Sequence, residues 1–389
     1  MIEKLQRSRG LILLLLLSVP AAAQTPLGPP FRVDAQGTSG LQELPGVAMG
    51  PRGDFVVTWL AFDPHVNGHS LFARRFAADG TPATEDILVT DQAVPSFANA
   101  AVAVMNDGSF VVVFSIAEDL IARRYGPDGL LQEERTVASR ALEASSAIGA
   151  RGDGGFVLVW VASDNRHTYL RGFGRDSAAV TPLRQVAALA GAPAVAVEPS
   201  GASVVAWVGS QPDPAHPRYG DLFVLAQRFG PGGARLGGRI VVQDRYPFFV
   251  NGPEIGVDAE GGFVVVWDQP TGANGLAGEG IFARRYAAGG NPLTRPARIE
   301  TGLVGPGVAV DGRGSFSIAW TGAGTAPERR SDIFTRRFDV RGLAFRPPLR
   351  VDTSPLGAVS SRLAGDANGN FVVVWAAGDG IYARLYRKR

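Results

Sequence analysis

The stretch Ile255-Gly256-Val257-Asp258-Ala259-Glu260-Gly261-Gly262-Phe263-Val264-Val265-Val266-Trp267 sets out the plan of the whole chain. It is an apolar-small-apolar triplet, a glycine-rich turn, and an apolar run closed by an aromatic. Short β-branched and aromatic runs bounded by Gly and Asp read as strands, here two strands joined by a hairpin. The phrase recurs. Val47-Ala48-Met49 leads to Phe55-Val56-Val57-Thr58-Trp59, and Val102-Ala103-Val104 to the run ending in Phe114. Ile148-Gly149-Ala150 precedes Trp160, Val195-Ala196-Val197 precedes Trp207, Val308-Ala309-Val310 precedes Trp320, and Leu363-Ala364-Gly365 precedes Trp375. All six Trp residues of the chain occupy this one position, and Phe114 fills the seventh.

A second phrase follows each aromatic, as in Leu71-Phe72-Ala73-Arg74-Arg75-Phe76 and Ile281-Phe282-Ala283-Arg284-Arg285-Tyr286. A third, looser phrase closes each unit, as in Ile87-Leu88-Val89-Thr90-Asp91 and Leu349-Arg350-Val351-Asp352. Each unit is therefore four strands, a to d, over roughly fifty residues, the period of propeller blades. The middle of strand a is always Ala or Gly (Ala48, Ala103, Gly149, Ala196, Gly256, Ala309, Ala364), which suits strands crowded around a central channel. Strand b is apolar on both faces, as a sheet sandwiched between neighbouring blades requires.

The ends close the argument. The seventh unit stops after strand c and lacks strand d, while Phe31-Arg32-Val33-Asp34 matches Leu349-Arg350-Val351-Asp352 almost letter for letter. The N-terminal segment is expected to pair with the last blade and seal an all-β, seven-bladed β-propeller of four-stranded antiparallel blades. A β-solenoid is the structural alternative, but open solenoids have capped ends rather than complementary half-repeats.

Composition agrees. The 389 residues include 50 Gly, 27 Pro and no Cys, with 46% apolar and 19% charged residues. That excludes a disordered chain, a disulfide scaffold and a helical bundle. Residues 1–23 read as a secretory signal peptide: Lys4, Arg7 and Arg9 precede an apolar run of about nine residues, too short for a membrane span, and Ala21-Ala22-Ala23 offers a cleavage site. Residues 24–389 are then one propeller domain, secreted or periplasmic, with no membrane insertion after cleavage. The formal charge of +2 belongs to this leader, so the remainder is formally neutral and no nucleic-acid partner is expected. Lysine is confined to Lys4 and Lys388; with the abundant Ala, Gly and Pro, this bias suggests a GC-rich bacterial genome.

Over residues 31–386 the pattern resembles secreted bacterial β-propeller repeat proteins with tandem apolar-Ala-apolar-Asp-x-x-Gly-x-Phe-Val-Val-Val-Trp phrases followed by Ile-Phe-Ala-Arg-Arg-Phe. The resemblance implies a WD40-like architecture and assigns no closer family; a regular Trp-Asp dipeptide is missing. The turn Asp258-Ala259-Glu260-Gly261-Gly262 is similar to a sialidase Asp box but lacks its Ser/Thr start and Thr-Trp ending.

The a–b and c–d turns are short and share one rim. The b–c and d–a loops vary and share the other, where function is expected. All four His residues fall there: His65, His69, His167 and His216. Asp213 and Tyr219 belong to the same insertion as His216, and Tyr246, Phe248 and Phe249 form an aromatic d–a segment suited to stacking on a sugar or peptide. His65 and His69 are spaced for a metal, but a Pro/Gly loop favours the solvated reading, and neither metal nor cofactor is expected. Carboxylates at the start of strand c (Asp119, Asp164, Asp221, Glu279, Asp332, Asp379) are explained mainly by turn chemistry. The strand c arginines recur in nearly every blade, which argues for a structural role, paired with Asp or stacked on aromatics. Two Arg-Gly-Asp triplets, at 52–54 and 151–153, fall in a–b turns and read as part of the repeat. No nucleophile elbow, phosphate loop or triad is present, and the catalytic residues stay unassigned. The leading expectation is a monomeric binding or protein-interaction module working through the variable rim on a protein or glycan. The alternative is an extracellular glycan-active hydrolase or lyase with its site at the channel mouth.

Overall fold

The computed structural model describes residues 24–35, 42–63, 68–94, 100–164, 167–188, 190–210, 222–246, 252–269, 280–300, 304–325, 330–353, 357–378 and 380–388. Its strands form seven antiparallel sheets. Blade 1 is built from Gln42–Met49, Phe55–Asp63, Gly68–Phe76 and Ile87–Val94, in that order from the axis outward. Blades 2 to 6 repeat the order, and blade 7 contributes Ala358–Gly365, Phe371–Ala377 and Gly380–Lys388. The expected propeller is thus found, strand for strand.

The missing outer strand of blade 7 comes from the N-terminus, with Phe31 opposite Ala383 and Arg32 opposite Tyr382. The same register holds Leu349 opposite Thr335 and Arg350 opposite Phe334 in blade 6. The closure reaches further than the sequence reading had it. Gln24–Pro26 pairs with the end of the last strand, Pro26 opposite Tyr386, in the place where other blades carry their c–d turn.

The apolar core is divided into seams, one between each pair of neighbouring blades among the described residues. Strand b feeds two seams at once: Val56 and Leu60 face blade 2, while Phe55, Val57, Trp59 and Ala61 face blade 7. Each strand b tryptophan is buried, and most lie on an aromatic of strand c, as Trp267 does on Phe282 at 5.8 Å between ring centroids. The strand a small residues are needed because neighbouring blades touch there; a Cβ on Gly256 would meet Val310 Cγ2 of the next blade at 2.5 Å.

The repeated arginines are clamps between blades. Arg74 donates from Nε to Thr84 O of its own blade and from Nη1 to Val33 O of blade 7, at 3.1 and 3.0 Å. Arg284 and Arg384 repeat the reach backward, to Val242 O and Val351 O. The arginine at the next position reaches forward: Arg124 donates to Gly154 O and Arg337 to Gly369 O, both at 3.0 Å. Arg74, Arg284, Arg336 and Arg384 also lie over the aromatic ring two positions on. Both structural roles expected of these side chains, pairing and stacking, are present.

Candidate functional site

The seven innermost strands converge at their first residues, on the rim of the b–c and d–a loops. There they line a recess of about 420 Å³. One layer of this recess is set by register. Gly46, Ala101, Ala147, Ala194, Glu254, Gly307 and Arg362 each pair with the residue that precedes the repeat's Trp or Phe. Five of the seven are Gly or Ala, which suits the close approach of the next blade: a Cβ on Gly46 would meet Ala100 O at 3.0 Å, and one on Gly307 would meet Leu363 Cβ at 3.0 Å. The remaining two are a carboxyl and a guanidinium, on blades 5 and 7, with Gly307 of blade 6 between them.

Glu254 keeps some solvent contact through the recess, and protein surrounds it elsewhere. Burial pushes its carboxyl above the usual glutamate range, and the positive charge of Arg362 draws it part of the way back. The two attract without touching: no ion pair or hydrogen bond joins them, and the Glu254 carboxyl group has no hydrogen-bond partner among the described residues. Arg362 spends one N–H on the neighbouring Ser361 carbonyl at 3.0 Å. Enclosed charges are ordinarily paired. Here two opposite charges face one cavity with most of their hydrogen-bonding capacity unspent. Ser146 adds a hydroxyl, and Val47, Val102, Ile148, Val195 and Leu363 supply apolar wall; among the described residues no aromatic side chain lines the recess.

The opposite rim offers a groove of about 520 Å³ between blades 5 and 6, lined by Asp258, Arg285, Arg313 and Arg341 among others. Two of its arginines are already partnered within their own blades, Arg285 with Asp258 at 3.8 Å and Arg341 with Asp339 at 3.0 Å. The Arg-Gly-Asp triplets lie on the same rim: Asp54 is buried against Arg75 at 2.7 Å, and Arg151 pairs with Asp153 of its own triplet at 2.8 Å.

Of the residues singled out from sequence, His65, Asp213, His216, Tyr219, Phe248 and Phe249 lie outside the described residues, as do Asp221, Glu279 and Asp379. Tyr246 ends the outer strand of blade 4, opposite Leu222. His69 sits in strand c of blade 1 with its ring edge-on to Phe62 at 5.7 Å. His167 starts strand c of blade 3, its Nδ1 2.6 Å from Asp164 Oδ2. Neither histidine lines the recess. Asp119 begins strand c of blade 2. Asp332 is buried and accepts hydrogen bonds from Thr325 N and Oγ1 at 2.8 and 2.6 Å, the turn chemistry expected of it. Among the described residues no group of three or more His, Asp or Glu is placed to hold a metal ion.

Glu254 and Arg362 escaped the sequence reading by one position. The apolar-small-apolar triplets begin at Ile255 and Leu363, and the residues just before them are the pair in question. Aligning the units one residue further back would have shown two charges where the other five carry Gly or Ala.

No known family model matches this chain, and no curated protein does either. Solved structures do. A Dyadobacter fermentans protein of unknown function aligns over 95% of this chain and 100% of its own, at 12% identity and a TM-score of 0.51. The β-propeller domain of the trilobed protease from Pyrococcus furiosus aligns over 90% and 96%, at 9% identity and a TM-score of 0.50. That domain is described as having an open velcro topology, whereas residues 24–32 of the present chain pair with its last blade. An α-L-arabinanase from Penicillium chrysogenum, solved with arabinobiose, aligns over 94% and 98%, at 11% identity and a TM-score of 0.51. At these identities the likenesses establish the β-propeller fold.

Proposed function

We propose that this propeller is a binding module whose ligand seats in the channel mouth, on the rim of the b–c and d–a loops. One observation supports this above others: a preformed recess in which Glu254 and Arg362 face the cavity without partnering each other. Its volume, about 420 Å³, is that of a small-molecule site, within the range of about 300–1,000 Å³ typical of such pockets. Most of the described wall belongs to strands, with Ala100, Gly252 and Pro253 outside them, so little ordering of that wall is needed on binding. The leader at residues 1–23 would deliver a monomeric module to the periplasm or the medium.

The test is a thermal-shift and calorimetric screen of the purified chain against small polar compounds. A compound should raise the melting temperature of the native chain, and the gain should vanish in the double variant Glu254→Gln/Arg362→Met. A gain that survives the double substitution would move the site away from the recess.

A second reading has its own support. A carboxyl raised by burial is the form in which a glycosidase general acid is held, and the arabinanase of like fold was solved with arabinobiose. Glycosidases commonly work with two carboxyl groups about 5–10 Å apart. Among the described residues Glu254 is the only carboxylate lining the recess, which puts binding first. Release of reducing sugar from arabinan, lost in Glu254→Gln, would reverse that order.

A further inference from the structure

Resting on the reading of the channel mouth as a binding site, we infer that its ligand is a small zwitterion of the amino acid or short peptide class, its ammonium on Glu254 and its carboxylate on Arg362. Four features of the recess narrow the choice.

The first is charge. A purely cationic ligand would meet Arg362, and a purely anionic one would meet Glu254. Each would satisfy one enclosed group while facing repulsion from the other, and like-charge juxtaposition in a desolvated site is a strong element of rejection. A ligand that carries both charges satisfies both. The second is spacing. The two side chains sit in the same layer of the ring, one blade apart from each other across Gly307, and they do not touch. A molecule with separated charges can bridge them.

The third is the rest of the wall. Among the described residues, the lining apart from Glu254 and Arg362 offers one side-chain hydroxyl, Ser146, and otherwise small or aliphatic residues and proline. The aliphatic residues suit the carbon skeleton of an apolar amino acid. The fourth is the backbone. Strand a is the innermost strand of each sheet, so one of its edges is left without a β-partner, and its first residues line the recess. Peptide groups of a ligand could hydrogen-bond there, which favours peptides over longer apolar acids.

The experiment is calorimetric titration of the full chain with L-valine, dialanine and trialanine, each also in its N-acetylated and its C-amidated form, and with arabinobiose as the neutral control. The expected result is that at least one zwitterion binds and that blocking either end weakens it tenfold or more. Glu254→Gln should abolish the penalty for acetylation, and Arg362→Met the penalty for amidation. Free L-valine against trialanine separates an amino acid ligand from a peptide one. Equal binding of free and blocked forms, or no binding by any zwitterion, overturns the ligand class. If arabinobiose binds instead and Glu254→Gln removes it, the zwitterion is wrong and the site stands. If a bound compound is indifferent to both substitutions, the site itself is wrong. The blocked ligands are read on the unsubstituted chain, so the conclusion does not depend on how the variants fold.

Discussion

The Asp34 carboxylate accepts a hydrogen bond from the backbone N–H of Ile381 at 2.8 Å, joining positions 347 residues apart. Its counterpart within blade 6 is Asp352, which accepts from Ile333 N at the same distance. The closure of the ring therefore uses the bond that an ordinary blade makes inside itself. Asp34 is buried and is also held by Arg32 at 2.7 Å. Replacing it with Ala leaves a buried N–H without an acceptor, a loss on the order of 1–3 kcal/mol. Chemical denaturation of Asp34→Ala should show a destabilisation of about 2 kcal/mol. An unchanged midpoint would mean that the N-terminal strand is dispensable for the ring.

A buried interblade arginine and an exposed arginine of a turn make contrasting ion pairs. Arg337 and Asp311 are both buried and 2.6 Å apart, Lys388 reaches the same carboxylate at 2.9 Å, and Arg337 also holds Gly369 O of the next blade. Removing one member of a buried pair typically costs about 3–5 kcal/mol, because the other charge is stranded. Lys388 remains to neutralise Asp311, so Arg337→Met is expected near the lower end, about 3 kcal/mol. Arg341 makes a pair of similar length with Asp339 but is 76% exposed at its side chain. Its replacement by Met should cost under about 1 kcal/mol. Equal losses in the two variants, measured by urea denaturation, would refute the clamp.

Three tyrosines at the same repeat position of strand c, Tyr125, Tyr286 and Tyr386, are pushed up to about 12 by burial, with nearby arginines opposing the rise. The folded form keeps these phenolic protons after the unfolded chain has lost its own near the ordinary value of about 10. Their contribution to stability is complete below that value and declines as the pH climbs from there toward 12. Phenolate absorbance during alkaline titration should show these three ionising late, together with loss of the fold. A single common transition at the ordinary value would contradict their burial.

Periodicity explains what could be read from the sequence and what could not. Trp59, Trp160, Trp207, Trp267, Trp320 and Trp375 solve one packing problem, so their common phase exposes the blade, and the likeness of residues 31–34 to 349–352 exposes the closure. Gln24–Pro26 has no such echo, because it replaces a turn rather than a strand, and its pairing emerged only in three dimensions. The recess was obscured for a related reason. A ring site is made by departures from the repeat, and a search for what recurs passes over Glu254 and Arg362 as imperfect copies of Gly or Ala. Loop length assigns the candidate residues of the variable loops to a rim, but no period fixes where on that rim they lie.

The recess carboxyl should leave its mark on the pH dependence of stability. Burial raises Glu254 above its ordinary value of 4.5, and Arg362 is the one charge that acts against the rise. Below that ordinary value both folded and unfolded chains hold the proton. As the pH rises through it the unfolded chain ionises first, while the folded chain still holds its proton and so binds more protons than the unfolded one. Stability then falls with rising pH until the folded carboxyl ionises in turn. Glu254→Gln has no such proton to lose. The native chain and the variant should match in acid, and the variant should become the more stable across the window above 4.5, by a margin that then holds constant. A saturating zwitterion whose ammonium meets Glu254 favours the charged carboxyl, so it should narrow the margin. Denaturation midpoints of the two chains, taken across the acid-to-neutral range with and without the peptide, measure this. A gap that does not vary with pH would mean that Glu254 is solvated like a free side chain, and the recess would then be open water rather than a site.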